Sequence, residues 1–493
     1  MSGRDSSVVV SILERDPEAC RHALERVPST AGSVEIRADR LPHDAVPGLV
    51  RLAAVPVIVT LRRVEHGGAW DGPEEARARV YRAALDAGAA WVDVEWGMPA
   101  AVGIDPARIV LSHHGAPCDL GELAEVLDGM ASTAAARLKI VPAGAPAGAA
   151  VGTVRELLQM PAGRGRLCAF ALGRAAAVTR VLAPSWGSWG TYAAPARGSE
   201  TASGQLTAED LVEVFDVDRI GPATRKVALV GADLSRSPSP AMHNAALREA
   251  GVDGRYLALE IGTVEEVEGL REILALEGVG VTMPFKEAAA RTCDQLDWWA
   301  RRSGVVNTVR FGPGGRRSGF NTDAAALDTL LSDGAGVAGR EAVVVGSGGT
   351  ARTFAAVLAR AGARVVMASR DPRAAARAAA ELGVGAITLE LAACSRAPIW
   401  AFAIPMPAGL RERLPPRDAT VEILVDAAYG TEPGGALIDA AARGARRIDG
   451  LDLLAEQGVR QLDILMGVRA DRKSAGIAAR RRLRDLDGFR VPE

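Results

Sequence analysis

Only four lysines, Lys139, Lys226, Lys286 and Lys473, stand among the 58 basic residues of this chain. Arginine serves wherever a plain cation is wanted, because its guanidinium keeps its proton. A desolvated lysine can lose its proton and act as an amine nucleophile. Each lysine is therefore a candidate for chemistry. Lys226, in a loop, and Lys473, near the terminus, read as solvated surface. Lys139 lies in Ala-Arg-Leu-Lys-Ile-Val-Pro, a strand-like apolar stretch where burial would favour the neutral amine that attacks a ketone. Taken alone it reads equally well as an edge-strand surface lysine. Ile109-Val-Leu-Ser-His113-His114 precedes it. A histidine beside a Schiff-base lysine can remove a proton next to the iminium carbon and later protonate a leaving group. His113 and His114 alternate in direction on an extended chain, so one of them faces the same side as the lysine.

In the second half, Lys286 closes Val281-Thr282-Met-Pro-Phe-Lys, and Asp323 closes Gly319-Phe-Asn-Thr-Asp. Together they would form a charged pair beside a reacting alcohol. Ser237 and Ser239, in Ser235-Arg-Ser-Pro-Ser-Pro, and Asn307, in Gly304-Val-Val-Asn-Thr, supply hydroxyls and an amide suited to a polyhydroxylated ring. Read singly, Ser-Pro-Ser-Pro is an ordinary turn and Asn321-Thr322-Asp323 a helix N-cap. Val343-Val-Val-Gly346-Ser347-Gly348-Gly349-Thr350 reads as a strand, a glycine turn and a helix start. That is the seat of a dinucleotide pyrophosphate. The following strand ends in Ser369-Arg370-Asp371, with Arg373 beyond. Arg370 and Arg373 suit the 2′-phosphate of NADP, whereas Asp371 suits the ribose hydroxyls of NAD; NADP is the expected cofactor, with NAD second.

These groups need a scaffold. Over the first 220 residues, short apolar runs at 7–13, 33–37, 56–62, 90–95, 108–112, 137–142 and 166–171 alternate with helical patterns such as 74–88 and 119–130. The alternation predicts an α/β fold with a parallel sheet. Several runs end in polar residues, namely Glu35 and Arg37, Arg62, Glu95, His114 and Lys139. Strand ends aimed into one mouth are the arrangement of a (β/α)8 TIM-type barrel. A linker is expected at 221–226 after a barrel at 1–220. New α/β units open at Val227 and at Glu341, and 493 residues exceed a single core.

Composition narrows the class. The chain is 48% hydrophobic and 24% charged, with a formal net charge of -2, which gives no electrostatic reason to bind nucleic acid. It carries no signal-peptide pattern and no apolar run long enough to span a bilayer. Cys20, Cys118, Cys168, Cys293 and Cys394 lack metal-ligand spacing. They read as reduced thiols of a cytoplasmic protein without a metal. Nothing in the sequence specifies an oligomeric state.

Residues 7–215 resemble the type I 3-dehydroquinate dehydratases. The motifs are Glu35-Ile-Arg37, Thr60-Leu-Arg62 with Gly67-Gly68, Ser112-His-His114, Lys139-Ile, Gly173 with Thr179-Arg180, and Ser203-Gly-Gln205. The resemblance implies that Lys139 forms the Schiff base and His114 is the general base and acid. It also implies that Glu35, Arg37, Arg62, Arg180, Thr201 and Gln205 hold the substrate. Residues 227–490 resemble the shikimate dehydrogenases. That resemblance makes Lys286 and Asp323 the catalytic pair and assigns Ser237, Ser239, Thr282, Asn307, Tyr429 and Gln457 to substrate. It also implies a Rossmann nucleotide domain at 336–445 set into a substrate domain of 227–335 and 446–493. His66 stands where the first family carries an acid, and Gly280 and Ala326 replace an asparagine and a glycine of the second. The net reaction implied is 3-dehydroquinate to shikimate by way of 3-dehydroshikimate. The rivals are an NAD-dependent quinate dehydrogenase in the second half and a ligand-sensing pseudoenzyme.

Overall fold

The structure is a computed structural model and describes residues 6–97, 103–332, 336–404, 414–416, 418–429 and 444–487. Its contacts group into two compact units. One is built on the residues up to Thr224 together with Leu257–Ala275, the other on Arg225–Tyr256 and the chain from Leu276.

Unit one is the barrel. Its strands are β1 Val8–Ile12, β2 Ser33–Arg37, β3 Val57–Thr60, β4 Trp91–Glu95, β5 Ile109–His114, β6 Arg137–Val141, β7 Leu167–Ala169 and β8 Thr191–Ala193. They form one sheet in the order β7-β6-β5-β4-β3-β2-β1-β8, and each registered pair is parallel. The outer edges meet where the Trp189 amide donates to the Leu167 carbonyl at 3.2 Å and the Cys168 thiol to the Gly190 carbonyl at 2.9 Å. The eighth strand is only three residues long, too short for its apolar alternation to register in the sequence.

Helices between the strands start where local chemistry dictates. Asp16 caps helix Pro17–Glu25 by accepting from the Ala19 amide, with proline at the first position. Asp119 caps helix Leu120–Ala131 in the same way. Helix Glu74–Asp86 opens on two glutamates, favourable at the positive end of a helix. Its inward face brings Tyr81 into full burial, where the phenol donates to the Asp93 carbonyl at 2.6 Å and accepts from the Leu61 amide at 3.2 Å.

Residues 257–275, which the sequence assigns to the second half, group with unit one. Arg155 donates to the Ile273 carbonyl at 2.6 Å, and Arg174 pairs with Glu260 at 2.7 Å. The expected linker at 221–226 ends sooner, because Arg225 pairs with Glu277 and begins a strand.

Two further six-stranded sheets follow the barrel along the chain. The first comprises β9 Arg225–Gly231, β10 Gly254–Glu260, β11 Leu276–Val281, β12 Gln295–Leu296, β13 Thr308–Phe311 and β14 Arg317–Phe320, in the order β10-β9-β11-β13-β14-β12. The second comprises β15 Glu341–Val345, β16 Arg364–Ala368, β17 Gly385–Ile387, β18 Ile399–Phe402, β19 Ile423–Asp426 and β20 Arg446–Ile448. It is parallel throughout, in the order β17-β16-β15-β18-β19-β20. All strands run the same way, but strand order reverses between β15 and β18, the crevice where doubly wound sheets take ligands. Helix Gly450–Met466 returns the chain to the first sheet, where Gln461 bonds Thr308 and Tyr256.

Tyr81 fastens the ends of β3 and β4 that aim Arg62 and Asp93 inward. Tyr81→Phe leaves a buried amide and a buried carbonyl short of a partner and should cost about 1–3 kcal/mol. A lower urea midpoint for the barrel transition is the expected reading.

Candidate active sites

The even-numbered barrel strands each send one side chain into the same layer of the interior: Glu35 from β2, Asp93 from β4, Lys139 from β6 and Tyr192 from β8. Four side chains from alternate strands are the usual filling of such a barrel, but this layer is charged. The Lys139 ammonium lies 2.8 Å from Asp93 Oδ2 and 3.4 Å from Glu35 Oε1. The Asp93 contact is an ion pair without hydrogen-bond alignment. Lys139 Nζ also stands 4.2 Å from the centre of the Tyr192 ring. Beneath lies an apolar layer including Val9, Ile58, Val110 and Cys168.

The layer above secures the carboxylates. Ser11 and Thr60 donate to Glu35 at 2.5 and 2.8 Å, and Ser112 donates to Asp93 at 2.6 Å. Arg62 donates to Asp93 at 2.9 Å and to Ser112 at 3.0 Å. Burial opposes ionisation of both acids, but Lys139 with Arg37 outweighs it at Glu35, and Arg62 with Lys139 at Asp93, so both stay below the usual carboxylate range.

His114 resolves the pair of histidines. It shares the face of Ser112 two residues earlier. Burial first, then Arg62 and Lys139, hold its pKa well below the usual value, whereas His113 feels burial and His66. His114 Nδ1 is buried and has no hydrogen-bond partner among the described residues. A neutral imidazole thus faces the lysine layer.

The expected substrate-holding residues fall into distinct states. Glu35 is spent on Lys139 and the two hydroxyls, and Arg37 is engaged with Asp39 at 2.9 and 3.2 Å. Arg180 is buried and uses one nitrogen on the Tyr192 carbonyl at 3.0 Å, while its Nε and Nη2 lack partners among the described residues. Burial pulls its pKa down to about 9, so it remains cationic at neutral pH. Two free guanidinium nitrogens on one side match the two oxygens of a carboxylate. Gln205 accepts from the Thr201 amide and hydroxyl at 2.6 and 3.1 Å. Their loop is tied down where the Gly173 amide donates to the Ser203 carbonyl. A β-carbon at Gly204, whose φ is +74°, would stand 2.1 Å from the Gly173 carbonyl oxygen. His66 is half-buried on the short turn Val64–His66.

In unit two a cavity of about 420 Å³ collects Ser237, Ser239, Thr282, Lys286, Asn307, Asp323, Tyr429 and Gln457, with Thr350 from the glycine turn. Lys286 donates to Asp323 at 2.6 Å. Asn307 donates to Thr322 at 2.9 Å and to Gln457 at 3.5 Å, and its carbonyl oxygen receives the Thr322 amide. Asn321 caps its helix through the Ala324 amide and donates to Ser303 and Thr353. The N-cap reading is right for Asn321.

Gly346 has φ +135°, outside the range of a side-chain-bearing residue, and Gly348 caps helix Gly349–Arg360 with open space around it. A β-carbon at Gly349 would lie 3.6 Å from the Lys286 β-carbon, so the helix N-terminus borders the charged pair. The Ser369 hydroxyl donates to the Asp371 carbonyl. Asp371 Oδ1 accepts from the Arg373 and Ala374 amides and caps the helix that follows. Arg370 and Arg373 are exposed. Residues 336–445 are described only in part, since 405–413, 417 and 430–443 fall outside the described residues.

Sequence reading passed over Asp93 and Tyr192 in the barrel and Gln461 in the cavity, and quoted Ser112 in a motif without giving it a role. Asp93 shares a strand face with Glu95, and Gln461 stands one helical turn from Gln457; those spacings were the available signal. Gly280 is explained by its neighbours, because a β-carbon there would meet the Tyr256 hydroxyl at 2.3 Å and the Gln461 amide. No group of three or more histidine, cysteine or acidic side chains among the described residues could hold a metal, and no helix there is long and apolar enough to cross a membrane.

A family model described as Type I 3-dehydroquinase matches residues 8–222, and one described as Shikimate dehydrogenase substrate binding domain matches residues 229–309. The chain is 27% identical over 391 residues to the chloroplastic bifunctional 3-dehydroquinate dehydratase/shikimate dehydrogenase of Arabidopsis thaliana, covering 73% of this chain and 64% of that protein. It thus spans just under two thirds of that relative's length. It is 36% identical over 259 residues to the shikimate dehydrogenase (NADP(+)) of Anaeromyxobacter dehalogenans, covering 50% of this chain and 91% of the relative. A solved shikimate 5-dehydrogenase from Thermus thermophilus, in complex with NADP(H) and shikimate, is 34% identical, with 52% of this chain and 99% of that chain covered and a TM-score of 0.45.

His243 provides a check on unit two. It is buried, stacked on Tyr256 at 4.0 Å, and burial lowers its pKa to about 4 against the donating contacts of its ring. The unfolded chain therefore binds a proton between pH 6.5 and about 4 that the folded chain does not, and stability must fall as pH drops through that window. Urea titrations at pH 7 and pH 4.5 should show the loss, and His243→Phe should diminish it.

Proposed function

We propose that this chain, which belongs to the shikimate dehydrogenase family in its second half and carries type I 3-dehydroquinase sequence in its first, converts 3-dehydroquinate to shikimate in two steps. The observation that carries the reading is the placement of Lys139 and Lys286. Two of only four lysines are held against carboxylates, one in each unit, at 2.8 and 2.6 Å.

In the barrel, Lys139 as the free amine attacks the substrate ketone, and loss of water leaves an iminium. His114, kept neutral by its burial, takes the proton from the neighbouring carbon. It then delivers that proton to the departing hydroxyl, which leaves as water. A second water hydrolyses the imine, releases 3-dehydroshikimate and restores Lys139. Arg180, with two unpartnered nitrogens, is suited to the substrate carboxylate. Thr201 and Gln205 border the mouth on the loop after β8, and Arg62 holds Asp93 in place; Glu35 and Arg37 act through Lys139 and Asp39.

In unit two, Ser237, Ser239, Thr282, Asn307, Tyr429 and Gln457 line the cavity and suit the hydroxyls and carboxylate of 3-dehydroshikimate. NADPH fits the glycine turn, where Gly346, Ser347, Gly348, Gly349 and Thr350 would take the pyrophosphate and Ser369, Arg370 and Arg373 the adenosine phosphate. When bound, it supplies a hydride to the ketone carbon. Lys286 donates the proton to the ketone oxygen, and Asp323 holds Lys286 in place. The rival use of NAD drew on Asp371, whose Oδ1 caps the next helix. The substrate-binding and nucleotide-binding domains of the second half of the chain are assigned to 227–335 with 446–493 and to 336–445. The thiols, none paired among the described residues, favour a cytoplasmic setting.

3-Dehydroquinate alone should raise the ultraviolet absorbance of a conjugated enone, and NADPH added afterwards should be consumed. Lys139→Met should abolish the first signal and borohydride labelling while sparing NADPH oxidation with supplied 3-dehydroshikimate. Lys286→Met should do the reverse, lowering the second rate by about 10²–10⁴-fold. An enone signal surviving in Lys139→Met would overturn the assignment. Replacing Arg370 and Arg373 by alanine should raise KM for NADPH more than for NADH; equal effects would count against the phosphate assignment.

A further inference from the structure

Tyr192 is the one member of the polar barrel layer that carries no charge. Its ring centre lies 4.2 Å from Lys139 Nζ, inside the roughly 6 Å reach of a cation–π contact. The ring is 4% exposed and is walled by Phe170 and Trp189 at centroid distances of 5.6 and 6.3 Å. The Tyr192 carbonyl is held by Arg180. Its hydroxyl, by contrast, is buried and has no hydrogen-bond partner among the described residues. What the structure fixes at Lys139 is therefore the face of the ring.

We propose that the Tyr192 ring face is a catalytic element that stabilises positive charge on the Lys139 nitrogen, first as ammonium and then as the iminium of the covalent adduct. The proposal rests on the Schiff-base reading of Lys139. Both cations are centred on one nitrogen, so the contact survives when the amine and ketone join and water leaves. When the neighbouring carbon gives up its proton, the electron pair of that C–H bond flows toward nitrogen and neutralises it. The adduct must therefore be protonated beforehand, and the ring raises the protonated fraction. Asp93 and Glu35 do the same from the other sides, but a carboxylate can also take the proton away, whereas an aromatic face cannot.

The test uses the full chain and the pH dependence of borohydride trapping with 3-dehydroquinate, since borohydride reduces the iminium. Tyr192→Phe keeps the face and removes only the hydroxyl, so its alkaline limb of trapping should stay at the parent's pH. Pentafluorophenylalanine at position 192 keeps the shape but reverses the face. It should move the alkaline limb of trapping to lower pH by about 0.4–1.5 units, from the usual strength of such contacts. An unmoved limb overturns the proposal, as does a Tyr192→Phe variant as impaired as the fluorinated one, which would assign the role to the hydroxyl. If the parent forms no adduct, or Lys139→Met still forms one, it is the Schiff-base reading that fails.

Discussion

An ammonium group taken out of water needs partners, since the penalty for a buried ion is several kcal/mol even after the protein relaxes. Lys139 is 3% exposed in the middle of a barrel, and the surrounding polar architecture follows from that one fact. Two carboxylates and a ring face supply the compensation. The carboxylates, being buried themselves, require Ser11, Thr60, Ser112 and Arg62. Arg62 in turn lies 3.5 Å from Glu95, whose other oxygen pairs with the buried Arg77. Removing any one partner would strand a charge, which makes the network a device for holding one nitrogen in one place rather than a source of net stability. His114 borders the same field, and burial together with Arg62 and Lys139 keeps its imidazole neutral.

Unit two solves a different problem with different means. Lys286 and Asp323 are only partly buried and need no deep compensation. Position is the harder requirement, because a proton donor, a polyol and a dinucleotide must meet at one point. Amide and hydroxyl chains do this work: Asn307 links Thr322 to Gln457, and Asn321 ties the start of its helix to Thr353 on the helix that follows the glycine turn. Gln461, locked by Tyr256 and Thr308, fills the space left by Gly280. An added side chain there would collide with that pair, so the exchange of asparagine for glycine is a repacking of one wall of the cavity.

Much of this was legible in the sequence. Apolar runs located seven of the eight barrel strands, and the glycine turn located the dinucleotide fold, because both signals are local. Lysine scarcity singled out Lys139 and Lys286. The misses share a cause. Thr191–Ala193 is too short to show a period, and residues 257–275 join unit one through long-range contacts with Arg155 and Arg174. Asp371, read by type and place as suiting a ribose, also caps the next helix through Oδ1. Asp93 and Tyr192 gave no motif at all.

The sequence by itself determined most of the element types, the candidate lysines and the chemistry each could perform, since propensity and functional-group reactivity reside in single residues and short spacings. Only the tertiary structure decided which groups share a layer. Glu35 and Lys139 stand 104 residues apart and meet at 3.4 Å because strand register brings one residue from each alternate strand to the same height in the barrel. Register depends on the closure of the whole sheet, so no local reading could have paired them, turned His114 rather than His113 toward the lysine, or set a tyrosine ring against its nitrogen.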